Sequence, residues 1–534
     1  MKAYSFHDQP LGTVIADKAD TLADKAYLQY EEGREVSYQE VDEITNRIAN
    51  GLARLGVAKD DKVALLLPNS LEAVYFWFAC SKLGAVDVPI NLANRGFFLS
   101  HVINDSDAKV IVIDHELIDR LVDIEKEIPE LKKVVVWSRQ GTIGELPALS
   151  FEVIEYPQLC EAPADRPQVT VKPGDVQSII YTSGTTGPSK GVMMPQAQAH
   201  LEAYEYCTYM RTGAEDTFFT CLPIFHANAR YLCIYPTMLS ETKVVIRERL
   251  SATRFWDQIR AAKATIFNSL GAMATFLYNQ PRKDNDGDNP ARICLASPMP
   301  KEIYEDFAER FNIKVIDGYG LTETGLILYN PYDSPRPGSC GKATESFEVR
   351  IVDEDDQLVP PHMMGEIVIQ GKTPYGMCLG YYKQPEKTVE TFRNFYFHTG
   401  DGGYMDEDGY VYFVDRLKDY IRRRGENISS FEVERVVDSH PKVFESAAIG
   451  VKSEVGEDEV KIVVVLKEGK TLPPEELLSY CEPRMPYFAV PRYVEFVESL
   501  PKTPNEKVQK AKLREAGITK RTWDRESVGY QVKR

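Results

Sequence analysis

The sequence predicts an α/β protein built as a large N-terminal domain followed by a smaller one. Strand-like and helix-like segments alternate through the first 330 residues, the pattern of a largely parallel sheet covered by helices. The texture then shifts to short alternating β segments between about residues 334 and 414. Past a basic cluster, Arg416 to Gly425, helix and strand patterns resume. A chain of 534 residues is also longer than a single hydrophobic core sustains, so at least two domains are expected.

Each element has a local reason. Val41, Ile44, Ile48, Leu52 and Leu55 recur at helical spacing, predicting a helix over Glu40–Leu55 that Gly56 ends. Val63–Leu67 is a short apolar run closed by Pro68-Asn69, as a buried parallel strand would be. Leu71–Leu83 reads as helix and Ala108–Ile113 as strand. Phe347–Val352, Gly365–Gln370 and Gly409–Val414 alternate in hydropathy and are separated by Gly and Pro, which predicts a small β subdomain. Phe431–His440, Ser446–Val451, Val460–Leu466 and Pro474–Met485 supply the C-terminal elements. The main boundary falls at Lys418, giving domains 1–417 and 418–534.

Composition narrows the function classes. Apolar content of 43% and charged content of 27% are ordinary for a globular protein. A net charge of −17 argues against nucleic acid as main partner, because phosphate backbones select basic faces. The nine cysteines are scattered and form no C-x-x-C pair, so neither a zinc site nor a disulfide framework is expected. Met1–His7 lacks the apolar run of a signal peptide, and Ala73–Ile90, the most apolar stretch, is interrupted by Ser81-Lys82 and Asp87. No membrane span and a cytoplasmic location are therefore expected.

The chemistry starts at Tyr181-Thr-Ser-Gly-Thr-Thr-Gly-Pro-Ser-Lys-Gly191. Here Gly184, Gly187 and Gly191 let backbone amides approach a polyphosphate. Thr182, Ser183, Thr185 and Thr186 add hydroxyl donors, and Lys190 offsets charge. The spacing from Gly184 to Lys190 matches a Walker loop, but that loop needs Gly before the lysine and Ser or Thr after it. Ser189 and Gly191 stand there instead, which disfavours a P-loop NTPase. A serine- and glycine-rich surface turn is the plain alternative. Downstream, Asp317-Gly318-Tyr319-Gly320-Leu-Thr322-Glu323-Thr-Gly follows a strand at Ile313–Ile316. It offers a ring to stack on a base, a hydroxyl for a phosphate and a carboxylate for Mg²⁺. An ordinary glycine-rich strand-to-helix turn is its alternative.

The phosphate segment resembles the signature of the adenylate-forming superfamily, which holds acyl-CoA synthetases, nonribosomal-peptide adenylation domains and firefly luciferase. The resemblance continues in order from about Leu22 to Leu513. It implies two mostly parallel sheets plus a small β-barrel in the large domain, and a mobile α+β C-terminal domain. It implies ATP and Mg²⁺ as cofactors and coenzyme A as the thiol, with a small carboxylic acid as substrate. Tyr319 would meet adenine, with Ala296-Ser297-Pro298 on its other face, Thr322 the α-phosphate, and Glu323 the metal. Asp401, in His398-Thr-Gly-Asp401, and Arg416 would hold the ribose, and Lys418 would be the hinge. Lys507, favoured over Lys502 and Lys510, would be the catalytic lysine of Leu500-Pro-Lys-Thr-Pro-Asn-Glu-Lys-Val-Gln509; Glu506 departs from the usual glycine before it. His226, in Leu222-Pro-Ile-Phe-His-Ala-Asn228, would sit at the acyl pocket with Asn268–Met273. Arg424 and Gly425 belong to a loop that would border the coenzyme A tunnel.

Within the superfamily, Ser251–Ile259, Tyr412–Arg416, Gly425–Ser429 and Cys481–Met485 resemble crotonobetaine/carnitine–CoA ligase-type proteins. Carnitine-type, medium-chain, aryl and steroid-side-chain acids all remain compatible. Loading of a carrier protein and non-catalytic nucleotide sensing are the rival readings, and the family leaves room for a homodimer.

Overall fold

In the computed structural model, residues 1–182, 189–416, 421–423, 426–428, 430–452, 458–485, 487–503 and 507–532 are described. Two large sheets organise the first 416 residues. The seven-stranded sheet runs Glu152–Glu155, Lys133–Trp137, Val110–Asp114, Lys62–Leu66, Val86–Pro89, Val176–Thr182, Lys190–Pro195, and only its last pair is antiparallel. The nine-stranded sheet has a parallel centre containing Thr217–Thr220, Lys243–Ile246, Ile266–Ser269, Ile293–Ala296 and Lys314–Leu321. Antiparallel strands flank that centre on both sides.

Local chemistry fixes the elements between the sheets. Helix Tyr38–Arg54 starts two residues before its predicted position because Ser37 caps it. The Ser37 hydroxyl accepts from the Glu40 amide and the Glu40 carboxylate accepts from the Ser37 amide, a reciprocal box worth about 1 kcal/mol. Helix Leu71–Leu83 is buried from Ala73 to Leu83 on every face, as a helix apolar all round must be. The most apolar stretch of the sequence, Ala73–Ile90, is thus most of a core helix and the buried strand Val86–Pro89 that follows it. Among the described residues no helix is long and apolar enough to cross a membrane. All nine cysteines are free, and seven of them are buried.

The β subdomain is an open half-barrel of five antiparallel strands: Phe347–Val352, Gly365–Gly371, Tyr396–Met405, Phe392–Arg393 and Val411–Arg416. Beyond it, Val443–Lys452, Asp458–Leu466, Tyr493–Phe496 and Trp523–Asp524 form a separate four-stranded sheet. Helices Ser430–Asp438 and Pro474–Cys481 contribute Val433, Val437, Leu477 and Leu478 to its own apolar core.

One expected boundary moves. The strand predicted to end at Ile316 runs on to Leu321 and turns back as Gly325–Tyr329, so the motif is a hairpin and not a strand-to-helix turn. The glycines permit this. A Cβ at Gly320 would lie 2.1 Å from the Gly325 carbonyl, and one at Gly318 would lie 2.8 Å from that of Leu328.

Candidate active site

The nucleotide side of the site gathers at the carboxyl ends of the parallel strands, where open α/β sheets bind ligands. Ser269 pairs with Ala296 and Ala296 with Asp317, so three motif segments meet at one sheet edge. The Ser297 hydroxyl donates to the Gly318 carbonyl at 2.7 Å. Asp317 is 3% exposed and accepts from the amides of Met299 and Gly318 at 3.0 and 2.8 Å. Burial pushes its pKa up to about 8 against the pull of those two amides. It staples the Ala296–Pro298 segment to the strand.

Tyr319 then extends from the same strand. Its hydroxyl donates to the Asp401 carboxylate at 2.6 Å, in a buried setting, and its ring lies along Phe413 with centroids 6.4 Å apart. Asp401 stands opposite Arg416 in the half-barrel ladder. The Thr399 hydroxyl receives the Asp401 amide and donates to the Ile367 carbonyl, which holds the turn. Residues 82 positions apart in the chain are thereby brought into one hydrogen bond.

Ser183, Gly184, Thr185, Thr186 and Gly187 lie outside the described residues, as do Lys418, Arg424, Gly425 and Glu506. The ends of the phosphate loop are described. Thr182 pairs with Lys190 across the hairpin, Tyr181 donates to Asp105 at 2.6 Å, and His101 holds the Ser189 carbonyl at 2.9 Å. Lys190 lies 5.2 Å from the Tyr381 ring centroid. Its pKa is lowered, first by burial and then by the charge of Lys387.

Tyr381 was not legible in the sequence. Residues 379–382 run alongside the strand Lys190–Pro195 through Leu379–Met193, Met193–Gly380 and Tyr382–Gly191 backbone bonds. That contact puts the Tyr381 hydroxyl 2.9 Å from the Glu323 carboxylate. A single ring therefore touches both the phosphate-loop lysine and the expected metal ligand. Gln198, also missed, is 1% exposed and donates to the Thr322 carbonyl at 3.0 Å, fixing the hairpin tip. Mg²⁺ is usually held by one or two carboxylates together with substrate phosphates, so Glu323 beside the phosphate loop suits it without further protein ligands. Among the described residues no cluster of three or more His, Cys, Asp or Glu could hold a metal ion alone.

The acyl side is clamped from behind. Asn69 donates to the Leu222 carbonyl and receives the Ile224 amide, at 2.9 and 2.8 Å. The Arg230 guanidinium, 1% exposed, donates to the Ile224 carbonyl at 2.6 Å and pairs with Asp87, which is wholly buried. Asp87 is on a strand of the seven-stranded sheet, so the pair locks that sheet to the loop carrying His226. Arg230 opens a π-helical turn, Arg230–Ile234, an irregularity frequent at functional sites. The His226 pKa is lowered to about 4, first by burial and then by the charge of Lys507. His226 is accordingly a neutral imidazole at neutral pH.

Lys507 is exposed; its amide donates to the Thr503 hydroxyl and its carbonyl receives the Thr503 amide. The two rival lysines are committed elsewhere: Lys502 to Glu445 at 2.7 Å and Lys510 to Glu434 at 2.8 Å. Arg435 reaches Glu302 of the large domain at 2.7 Å.

The phosphate-loop, Asp317–Gly325 and Asp401 segments come together in the fold as an adenylate-forming enzyme requires, and comparison with known proteins agrees. Residues 15–382 match the AMP-binding enzyme family and residues 432–507 the AMP-binding enzyme C-terminal domain; the chain belongs to this family. It is 32% identical over 517 residues to a crotonobetaine/carnitine–CoA ligase of Salmonella agona (strain SL483), covering 95% of this chain and 99% of that protein. Among solved structures it resembles ATP-bound MatB from Rhodopseudomonas palustris (TM-score 0.84, 28% identity, 95% and 99% coverage). It also resembles the anthranilate CoA ligase AuaEII in complex with anthranoyl-AMP (TM-score 0.85, 26% identity, 97% and 99% coverage). The enzyme is an acid–thiol ligase by family.

Proposed function

We propose that the protein activates a small carboxylic acid with ATP and passes the acyl group to coenzyme A. In the first half-reaction a carboxylate oxygen attacks the α-phosphorus and pyrophosphate leaves, giving an acyl-adenylate. In the second, the coenzyme A sulfur attacks the acyl carbonyl and AMP leaves. Tyr319 and Ala296–Pro298 take the adenine, and Asp401 with Arg416 the ribose. Thr322 donates to the α-phosphate, and Thr182 to Gly187 with Lys190 embrace the β- and γ-phosphates. Bound Mg²⁺, held by Glu323, would supply charge neutralisation of the phosphates. Lys507 bridges the reacting carboxylate and α-phosphate, where an ammonium both orients and stabilises developing charge. Neutral His226 lies at the carboxylate entrance.

Domains 1–417 and 418–534 then rotate about Lys418 between the half-reactions, and the loop with Arg424 and Gly425 meets coenzyme A. The observation that carries this reading is how the motif side chains meet: the Tyr319 hydroxyl on the Asp401 carboxylate at 2.6 Å, and Tyr381 between Lys190 and Glu323. Pyrophosphate exchange into ATP that depends on an added carboxylic acid tests the first half. Appearance of acyl-CoA and AMP on adding coenzyme A tests the second. Exchange without acyl-CoA formation would move the reading to another acceptor.

A further inference from the structure

The acyl side of the site contains a hydrogen-bond chain whose direction can be deduced. Leu232 offers a backbone carbonyl, which can only accept. Asn268 donates to it through Nδ2 at 2.8 Å, and the Tyr206 hydroxyl donates to Asn268 Oδ1 at 2.7 Å. The carbonyl thus fixes which way the Asn268 amide is turned. Asn268 Nδ2 also lies 3.0 Å from Asn228, and a donor there requires Asn228 to present its own oxygen, Oδ1. The amide orientation of Asn228 follows from chemistry one residue removed.

Its NH₂ group is what remains. Asn268 is 3% exposed and Tyr206 wholly buried, whereas Asn228 is partly exposed, on the short helix Ala227–Ala229 two residues after His226. Among the described residues no acceptor is bonded to the Asn228 amide nitrogen. It is therefore a fixed donor on the open side of the loop that carries His226.

We infer that Asn228 is a specificity-determining residue, and that the acid this enzyme activates carries a hydrogen-bond acceptor in its acyl chain. The acceptor is a carbonyl, ether, hydroxyl or second carboxylate oxygen. This deepens the adenylation reading above and rests on it. A plain alkyl chain would displace water from the Asn228 amide and return nothing, and a site built to hydrogen-bond its substrate discriminates against the analogue lacking that group. A quaternary ammonium group would gain nothing from a donor either.

The test uses straight-chain acids and analogues in which one methylene, at position 3, 4, 5 or 6, is replaced by an ether oxygen. An ether accepts and cannot donate. Acid-dependent pyrophosphate exchange with the full-length enzyme should favour the ether at one position over its alkyl parent by roughly tenfold to a hundredfold in kcat/KM. Asn228→Leu should bring that ratio to about one. Asn228→Asp keeps the acceptor for Asn268 but replaces the outward donor with an acceptor, so the alkyl parent should then be preferred. The KM for ATP and the thermal unfolding midpoint should stay unchanged in both variants, and general unfolding would lower the midpoint. The inference is overturned if no ether position is preferred by the wild type, or if the preference survives both substitutions while alkyl acids are activated normally. If no acid of any kind supports exchange in the wild type, the adenylation reading itself falls and takes this inference with it.

Discussion

The two sides of the site are built on opposite principles. The nucleotide edge is preorganised: Tyr319 and Asp401 meet in a buried 2.6 Å bond, and Asp317 is closed by two amides. The lysine proposed for catalysis is instead one that the C-terminal unit would deliver: Lys507 is exposed, while Lys502 and Lys510 beside it are tied to Glu445 on the strand Val443–Lys452 and Glu434 on the helix Ser430–Asp438. The difference teaches where each kind of damage should appear. Groups that must hold still for a nucleotide belong in a packed sheet edge, since rigid dipoles lose least on binding. A cation needed for one half-reaction only belongs on a segment that can leave.

Removing the delivered group should give the largest kinetic effect. Lys507→Ala is expected to lower acid-dependent pyrophosphate exchange by roughly a hundredfold to a thousandfold, with thermal unfolding unchanged because the side chain is exposed. Unaltered exchange would remove Lys507 from the reaction. Breaking the buried clamp behind the acyl loop should instead cost stability. Arg230→Leu leaves Asp87 buried and unpaired, a change of about 3–5 kcal/mol, measurable as a lower midpoint in urea; an unshifted midpoint would show that the pair holds nothing.

A middle-sized effect probes the contact between the phosphate and metal sides. Tyr381→Phe removes the hydroxyl that orients Glu323 and should raise the Mg²⁺ concentration needed for half-maximal exchange several-fold. It should also weaken Mn²⁺ binding to the ATP complex, read by electron paramagnetic resonance. Equal metal dependence in both proteins would count against this role.

The comparison can be sharpened by titration. His226 should change protonation near pH 4, well below the usual imidazole value, followed by its ring proton resonances. Because burial is the main cause and the Lys507 charge the second, Lys507→Ala should raise the midpoint without restoring the unperturbed value. The sign for stability follows. A histidine whose pKa is depressed on folding binds fewer protons than the unfolded chain between about pH 4 and 6.5, so it destabilises progressively as pH falls through that window.

The smallest expected effect is at the rim. Arg435 and Glu302 are each about half exposed, so Arg435→Ala should change stability by less than about 1 kcal/mol. A change in the ratio of exchange to thioester formation would reveal a bias on the C-terminal domain instead.

Much of the fold was legible because periodicity is local. Apolar spacing at 41–55, an apolar run at 63–67 and alternation at 347–352 each fall within an observed helix or strand or overlap it to within a residue or two. The boundary at Ile316 was not legible. A glycine-rich stretch after a strand reads as a turn, and only the antiparallel partner at 325–329 makes it strand. Residue types at short spacing likewise pointed to Tyr319 and Glu323, since those groups are chemically fitted to a nucleotide wherever they stand, whereas Asp401 was reached only through the family resemblance.

What the sequence by itself determined is thus the class of chemistry: a polyphosphate loop, a ring, a carboxylate and a late lysine in order along one chain. What only the tertiary structure decided is which side chains aim those groups. Tyr381 against Glu323, Arg230 with Asp87 behind His226, and the orientation of Asn228 all depend on contacts between residues 40 to 143 positions apart. A hydrogen bond's direction is set by its partner, and no partner at such separation leaves a mark on local sequence.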